Sequence, residues 1–381
     1  MGCYNRGMKR LYWTQPETLE AEVVVTVLEG NCAVTDPILF HPDEGGQPPD
    51  TGTIGEASVL GVEVVDGQVV HRLDRPLRDG RYMARVDRLR REHTAGHHTA
   101  QHIISGIAQE RFGLRTTGVH IGLERCTVDF DRKVEWETVM ALEREVMEVL
   151  MLDVPVETLF DQADVRVRDE LKPIEADVIR VVKIGAWDQS ACCGAHVRTT
   201  GRIGMVRLCD IESKKDGTRL FFLAGRKALE YSQQETNVLR ELRKAASCST
   251  PELPAIFEKA QTQAKDLAKE VARLWTQMLP GLAASAQVLE VQSSTVGVQV
   301  AEVPAQLVAK LAGLIAESTE GVGIAVSGTR LAISSRTLDA AALLRTIQNA
   351  TGGKGGGSAD SANGSLGRTV TADEILTVLK S

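Results

Sequence analysis

The chain has 381 residues, 43% of them hydrophobic and 25% charged, with a net charge of −7 and seven cysteines. These figures describe an ordinary globular chain of two or three domains and exclude wholesale disorder and a bulk electrostatic coat for nucleic acid. No apolar run approaches the roughly twenty residues of a membrane helix, and MGCYNRGMKR has no signal-peptide core, so a cytoplasmic protein without membrane partners, its thiols free or metal-bound, is expected.

From Tyr12 to Val86, short β-branched runs (AEVVVTVLEG, ASVLGVEVVDGQVVHRL) alternate with turn residues, and Asp66-Gly67 is a hairpin signal. This reads as a small antiparallel β module, broken by the irregular loop FHPDEGGQPPDTG. Next comes an arginine-rich run holding Arg75, Arg78, Arg81, Arg85, Arg88, Arg90 and Arg91. It reads as a solvated face or as a site for an anionic substrate. The apolar stripe Ile103, Ile104 and Ile107 predicts a helix from about Thr94, its N-cap, to Arg111, stopped at Gly113. A second helix is expected over about Glu135–Leu152. ADVIRVVKIG and GRIGMVRLCDI read as strands, and TRLFFLAGRKALEY as a strand entering a helix. A charged helical arm then runs to about Met278, with a fresh start at Thr250-Pro251. The last hundred residues alternate strands with two helical stretches and contain TGGKGGGSADSANGSLG. The fold class is therefore α+β: an N-terminal β-rich module, a central α/β domain, a helical arm and a small C-terminal α/β domain.

Four of the eight histidines lie between His93 and His102. Residues four apart on a helix are neighbours on one face, and both His93/His97 and His98/His102 have that spacing. Gly96 disfavours a helix that already includes His93, which selects His98 and His102. Further on, SACCGAHVRTTGRIG repeats the spacing in Cys192 and His196. Three imidazoles and a thiolate form a borderline-soft tetrahedral set of the kind that takes Zn²⁺, with Cys193 as the rival thiolate. His93 and His97 have no assigned role.

HHTAQHIIS followed by CCGAHVRTTGRIG resembles the paired H-x-x-x-H and C-x-x-x-H motifs of the editing domain of alanyl-tRNA synthetases and of the free-standing AlaX editing proteins. GGQPPDTG resembles the glycine-rich loop of that family's N-terminal module, and GGKGGGSAD the signature of the C-terminal domain shared with DHH-type phosphoesterases. The family's CGGTH reads CCGAH here, so Ala195 stands where threonine is usual. No segment corresponds to an adenylation domain, which makes the chain similar to the long AlaX class.

The resemblance implies a division into an N-terminal module (1–90), a zinc-containing editing domain (91–235), a helical arm (236–282) and a DHHA1-like domain (283–381). It also implies zinc-dependent hydrolysis of mischarged Ser-tRNA(Ala), with Gly-tRNA(Ala) second, in the service of translation fidelity. His98, His102, Cys192 and His196 would hold the zinc. Gln47, Thr99 and His120 would be the catalytic group, with Thr99 reading the serine hydroxyl. Gly45, Gly46, Thr117 and Lys354 would contact the substrate, Lys354 in a loop against tRNA. Homodimerisation through the C-terminal domain is a further expectation. Two other readings use the same residues: a transferase passing the aminoacyl group to a small amine, hydroxylamine or alcohol, and a non-catalytic zinc protein that binds tRNA.

Overall fold

A computed structural model describes residues 9–160 and 180–380. The start of the expected strand in ADVIRVVKIG and most of MGCYNRGMKR lie outside the described residues. Two compact units divide the chain after Leu242. The fold is α+β, and among the described residues no helix is long and apolar enough to cross a membrane.

The first unit begins with a short helix, α1 (Leu11–Thr14), and a closed six-stranded barrel. The barrel comprises β1 (Glu20–Val27), β2 (Cys32–Asp36), β3 (Gly52–Ile54), β4 (Ala57–Val65), β5 (Gln68–Leu73) and β6 (Gly80–Val86), in the order β1-β2-β5-β4-β3-β6. Closure leaves no exposed edge. Period-two alternation turns Val23 and Val25 inward, where they meet Leu11, Phe40, Ile54 and Val62. Asp66 and Gly67 both have positive φ, 50° and 77°, as the tight turn between β4 and β5 requires.

β6 feeds directly into α2 (Arg88–Phe112), which carries the histidines. Its N-cap is Asp87, whose side chain accepts from the Arg90 amide, and Gly113 at φ 63° ends it. The helix therefore starts about two turns before the expected Thr94. Thr94 lies inside it with its hydroxyl on the Arg90 carbonyl, and Gly96 is helical. A helical glycine costs about 1 kcal/mol, and here continuous burial from Thr94 to Ala108 outweighs it.

Around α2 pack a four-stranded and a three-stranded sheet. β7 (Thr116–Ile121), β8 (Cys126–Phe130), β12 (Val206–Lys214) and β13 (Gly217–Ala224) form the first, in the order β12-β13-β8-β7. β9 (Val156–Phe160), β10 (Arg180–Ile184) and β11 (Asp188–Ala191) form the second. Ile103, Ile104 and Ile107 share one core with Val128, Val182, Phe222 and Leu142 of α3 (Trp136–Met151). Gly106 permits the closest approach, since a Cβ there would overlap the Trp187 carbonyl. That contact fixes the β10–β11 turn against the helix. α4 (Gly225–Ala246) follows β13 without a break.

In the second unit, Ser249 and Glu252 form a capping box ahead of α5 (Leu253–Ala284), so Ser249 is the cap in place of Thr250-Pro251. A six-stranded sheet then runs β14-β15-β16-β17-β19-β18. Its strands are β14 (Gln287–Val291), β15 (Ser294–Val300), β16 (Val322–Ser327), β17 (Arg330–Ser335), β18 (Gly353–Gly357) and β19 (Ser361–Leu366). Three helices accompany it, α6 (Val308–Thr319), α7 (Ala340–Thr351) and the short α8 (Ala372–Lys380), one more than expected. The expected loop GGKGGG is an edge strand. Pairing of Gly355 with Gly364 and Gly356 with Asn363 outweighs glycine's low strand propensity.

One buried ion pair ties the glycine-rich loop to the start of α2. Arg91 is 3% exposed and Asp50 0%, with Nη2 at 2.5 Å from Oδ2, and Arg91 also donates to the Leu39 carbonyl. Arg91→Met would strand a buried carboxylate and is expected to lower stability by about 3–5 kcal/mol, with the Arg91→Met/Asp50→Asn double variant recovering part of the loss. Urea unfolding of the variants measures this. A loss under about 1 kcal/mol for the single variant would show that the pair does not lock the loop.

Candidate metal centre

His98 and His102 lie one turn apart on the buried face of α2, and Cys192 and His196 lie on the loop after β11. One ligand atom from each falls within 4.8 Å of the others. Cys192 Sγ is 3.5 Å from His98 Nε2 and 3.3 Å from His196 Nε2. A tetrahedral zinc with ordinary Zn–N and Zn–S bonds has ligand edges of about 3.6 Å. The donor set therefore fits that ion.

Each imidazole is held from behind through Nδ1. His98 Nδ1 donates to Gln47 Oε1 at 2.8 Å, His102 Nδ1 to Asp188 Oδ2 at 2.6 Å, and His196 Nδ1 to Thr99 Oγ1 at 3.1 Å. These bonds fix the tautomers and aim the Nε2 lone pairs at one point, as metal-binding histidines require. Gly194 completes the cradle, because a Cβ there would overlap the His98 ring and Gln47 Oε1. Burial pulls the His98 pKa down to about 3 and His196 well below the usual imidazole range. Both are neutral, the form that ligates. His102 is also buried, but the Asp188 carboxylate outweighs burial and raises its pKa. Burial resists ionisation of Cys192, yet His102 and Arg180 bring its thiol below the ordinary value.

The loop between the two ligands is clamped by its carbonyls. Arg180 Nη1 donates to Cys192 O at 2.9 Å and Gly194 O at 2.7 Å, and Trp13 Nε1 donates to Cys193 O at 2.8 Å. The guanidinium groups of Arg10 and Arg180 lie 4.6 and 5.2 Å from the centroid of the Trp13 ring. Cys193, the rival thiolate, is disulfide-bonded, whereas Cys192 is free. A cleft of about 650 Å³ opens beside the cluster, lined by Tyr12, Trp13, Thr158, Arg180 and His196 among others.

Of the residues singled out in the sequence, the structure brings His98, His102, Cys192 and His196 together, with Gln47 and Thr99 immediately behind them. The Thr99 hydroxyl is fully engaged: it donates to Ala95 O, accepts from the Val197 amide and meets His196 Nδ1. It positions a ligand and has no free valence for a substrate hydroxyl. Gly45 and Gly46, at φ 68° and 75°, shape the turn that inserts Gln47. Thr117 and His120 are exposed on β7 and do not touch the cluster, though Ile121 N bonds Gly46 O at 3.4 Å. Lys354 is exposed on β18 in the second unit. His97 Nε2 accepts from the Ala224 amide and His93 Nε2 donates to Gly122 O, so both serve α2 packing. Sequence reasoning missed Asp188, Arg180 and Trp13. Only Asp188, four residues before Cys192, had a spacing that could have drawn notice.

Comparisons with known proteins bear on the same residues. Residues 179–221, which hold Arg180, Asp188, Cys192 and His196, match the family described as "Threonyl and Alanyl tRNA synthetase second additional domain". The chain is 32% identical over 382 aligned positions to the "Alanine--tRNA ligase" of Methanoculleus marisnigri, covering 93% of this chain and 41% of that protein. It is 34% identical over 251 positions to the "Alanyl-tRNA editing protein Aarsd1" of Bos taurus, covering 64% of this chain and 56% of the relative. The rat protein of the same name is also 34% identical, with 61% of its length covered. The chain thus spans less than two thirds of the length of each of these relatives. Its motifs and these matches agree: the chain is related to the alanine-tRNA ligases and the alanyl-tRNA editing proteins.

Proposed function

We propose that the protein is a zinc-dependent aminoacyl-tRNA deacylase that hydrolyses mischarged Ser-tRNA(Ala), and secondarily Gly-tRNA(Ala), in trans. The observation that carries this reading is the set of four ligand atoms within 4.8 Å, with every imidazole anchored through Nδ1. The similarity to alanyl-tRNA editing proteins supports the choice of substrate. When bound, zinc supplies a Lewis acid and can bring the pKa of water to about 7.

The chain's own residues do the rest. Gln47 and Thr99 hold His98 and His196, and Asp188 holds His102 in its Nε2-ligating tautomer. Arg180 and Trp13 hold the carbonyls of Cys192, Cys193 and Gly194 and so fix the loop between the two ligands. The ester enters beside His196. Thr117 and His120, on the strand tied to Gly46, meet the terminal nucleotide, and Lys354 contacts tRNA from the C-terminal domain (283–381), through which two copies pair. The editing chemistry belongs to the 91–235 segment, with modules 1–90 and 236–282 on either side, in the cytoplasm.

The test incubates zinc-loaded protein with labelled seryl, glycyl and alanyl esters of tRNA(Ala). Release of serine well above the protein-free rate, with alanine spared, is expected, and His98→Ala should lose that release together with the metal. Seryl release no faster than in buffer would sink the reading. The anchors behind the ligands should show in metal affinity as well. Gln47→Ala and Asp188→Asn are each expected to weaken zinc binding by about 10–100-fold, read by competition with a chelating dye. Affinities within twofold of the unmodified protein would remove both residues from the zinc's support.

A further inference from the structure

A second cleft, of about 960 Å³, runs from His196 along the N-terminal turns of α2 and α4. Six cations line it and are available to a ligand: Arg88, Arg90, Arg198, Arg202, Arg226 and Lys227. Arg91 also reaches it but is committed to Asp50. Among the described residues, three acids lie with them. Glu92 pairs with Arg88, Glu124 with Lys227, and Glu17 is shared by Arg198 and Arg202 at 3.9 and 3.3 Å. No carboxylate among the described residues pairs with Arg90 or Arg226. These pairs are exposed and weak, so an incoming phosphate can replace their carboxylates at little cost. The chain as a whole carries −7, so this surplus of positive charge is a local reversal.

The same cleft presents exposed apolar side chains between its charges. Leu89 is 58% exposed, Leu229 50% and Leu123 42%. Charge for phosphates beside apolar side chains against which unpaired bases can lie is the combination that takes single-stranded nucleic acid. A basic peptide would meet the wrong charge, and a bilayer would not fit a concave cleft; an acidic peptide would match the charge but brings no ester to the adjoining cluster, which makes it the competitor in the test.

We infer that this cleft binds the 3′-terminal single-stranded segment of a tRNA, with phosphates on the arginine rim, bases against Leu89, Leu123 and Leu229, and the aminoacylated end at His196. The inference rests on the reading of the adjoining cluster as an ester-cleaving site. It adds the track that leads the ester there.

The test uses the full chain and an uncharged tRNA(Ala) transcript, so that binding is read apart from hydrolysis. The triple variant Arg88→Glu/Arg202→Glu/Arg226→Glu is expected to weaken binding more than tenfold. It should also lower the slope of log affinity against log salt by about two to three, at roughly 0.7–0.9 per phosphate contact. A Gln triple variant should fall between the two, and unchanged zinc content and urea midpoints would show that the variants fold. Reversal of Arg75 and Arg81, on the barrel away from the cleft, should leave binding as it is. A transcript ending in 8-azidoadenosine should cross-link to peptides within 196–203 or 224–229. Unchanged affinity in the triple variant, cross-links only elsewhere, or equal competition per charge by polyglutamate or anionic vesicles would each overturn the inference. A protein that binds tRNA through this cleft yet cleaves no ester would instead overturn the deacylase reading.

Discussion

One amide oxygen joins the three pieces of chain on which the metal centre depends. Gln47 Oε1 accepts from His98 Nδ1 on α2 and, at 3.0 Å, from the Ala195 amide in the Cys192–His196 loop. Gln47 itself hangs from the glycine-rich loop of the barrel. A carbonyl oxygen has two lone pairs, and both are used here. Loss of either bond would free a buried imidazole or a buried amide, each of which costs about 1–3 kcal/mol when left unsatisfied. The barrel, the helix and the cysteine loop are thus held in register by a residue that is not itself a ligand. Arg91 and Asp50 support the same junction from the other side, since Asp50 also accepts from the His41 amide at 2.6 Å in the loop that carries Gln47.

Charge is distributed to match. Close to the cluster, burial keeps His98 and His196 neutral, and the Asp188 carboxylate sits on the His102 nitrogen facing away from the other ligands. Arg180, despite burial that lowers its pKa to about 10, stays protonated and lies where a thiolate would gain from it. Farther out the sign changes from balanced to positive along the second cleft. A preorganised donor set beside a cationic rim suits an anionic polymer carrying a neutral ester.

The four donors were legible in the sequence because they come in two copies of one spacing, His98/His102 and Cys192/His196, and a period of four is what a helix or tight loop turns into proximity. The α+β class and most strand positions were legible for a similar reason, as β-branched runs with turn residues between them. Three things were not. The start of α2 was placed at Thr94 because local propensity made Gly96 a breaker, whereas burial decided it and Asp87 was the cap. The glycine run at 353–357 looked like a loop because its strand character comes only from pairing with β19. Asp188, Arg180 and Trp13 act through geometry: Trp13 is 180 residues from the carbonyl it holds, a relation that no local pattern contains.

The arginine run shows the same limit from the other direction. In sequence, Arg75 to Arg91 is one basic block; in the structure it is sorted by position. Arg75, Arg81 and Arg85 pair with Asp74, Glu22 and Glu20 on the barrel, and Arg91 is buried on Asp50. Arg88, paired with Glu92, and Arg90 line the cleft, where Arg198, Arg202, Arg226 and Lys227 join them from distant segments. Arg88 and His98 share one rigid helix, so their spacing is set: ten residues at 1.5 Å rise give about 15 Å. At about 3.4 Å per stacked nucleotide, that is the length of roughly four nucleotides of one strand. The helix that presents two of the ligands therefore also measures the distance from the first phosphate contact to the ester.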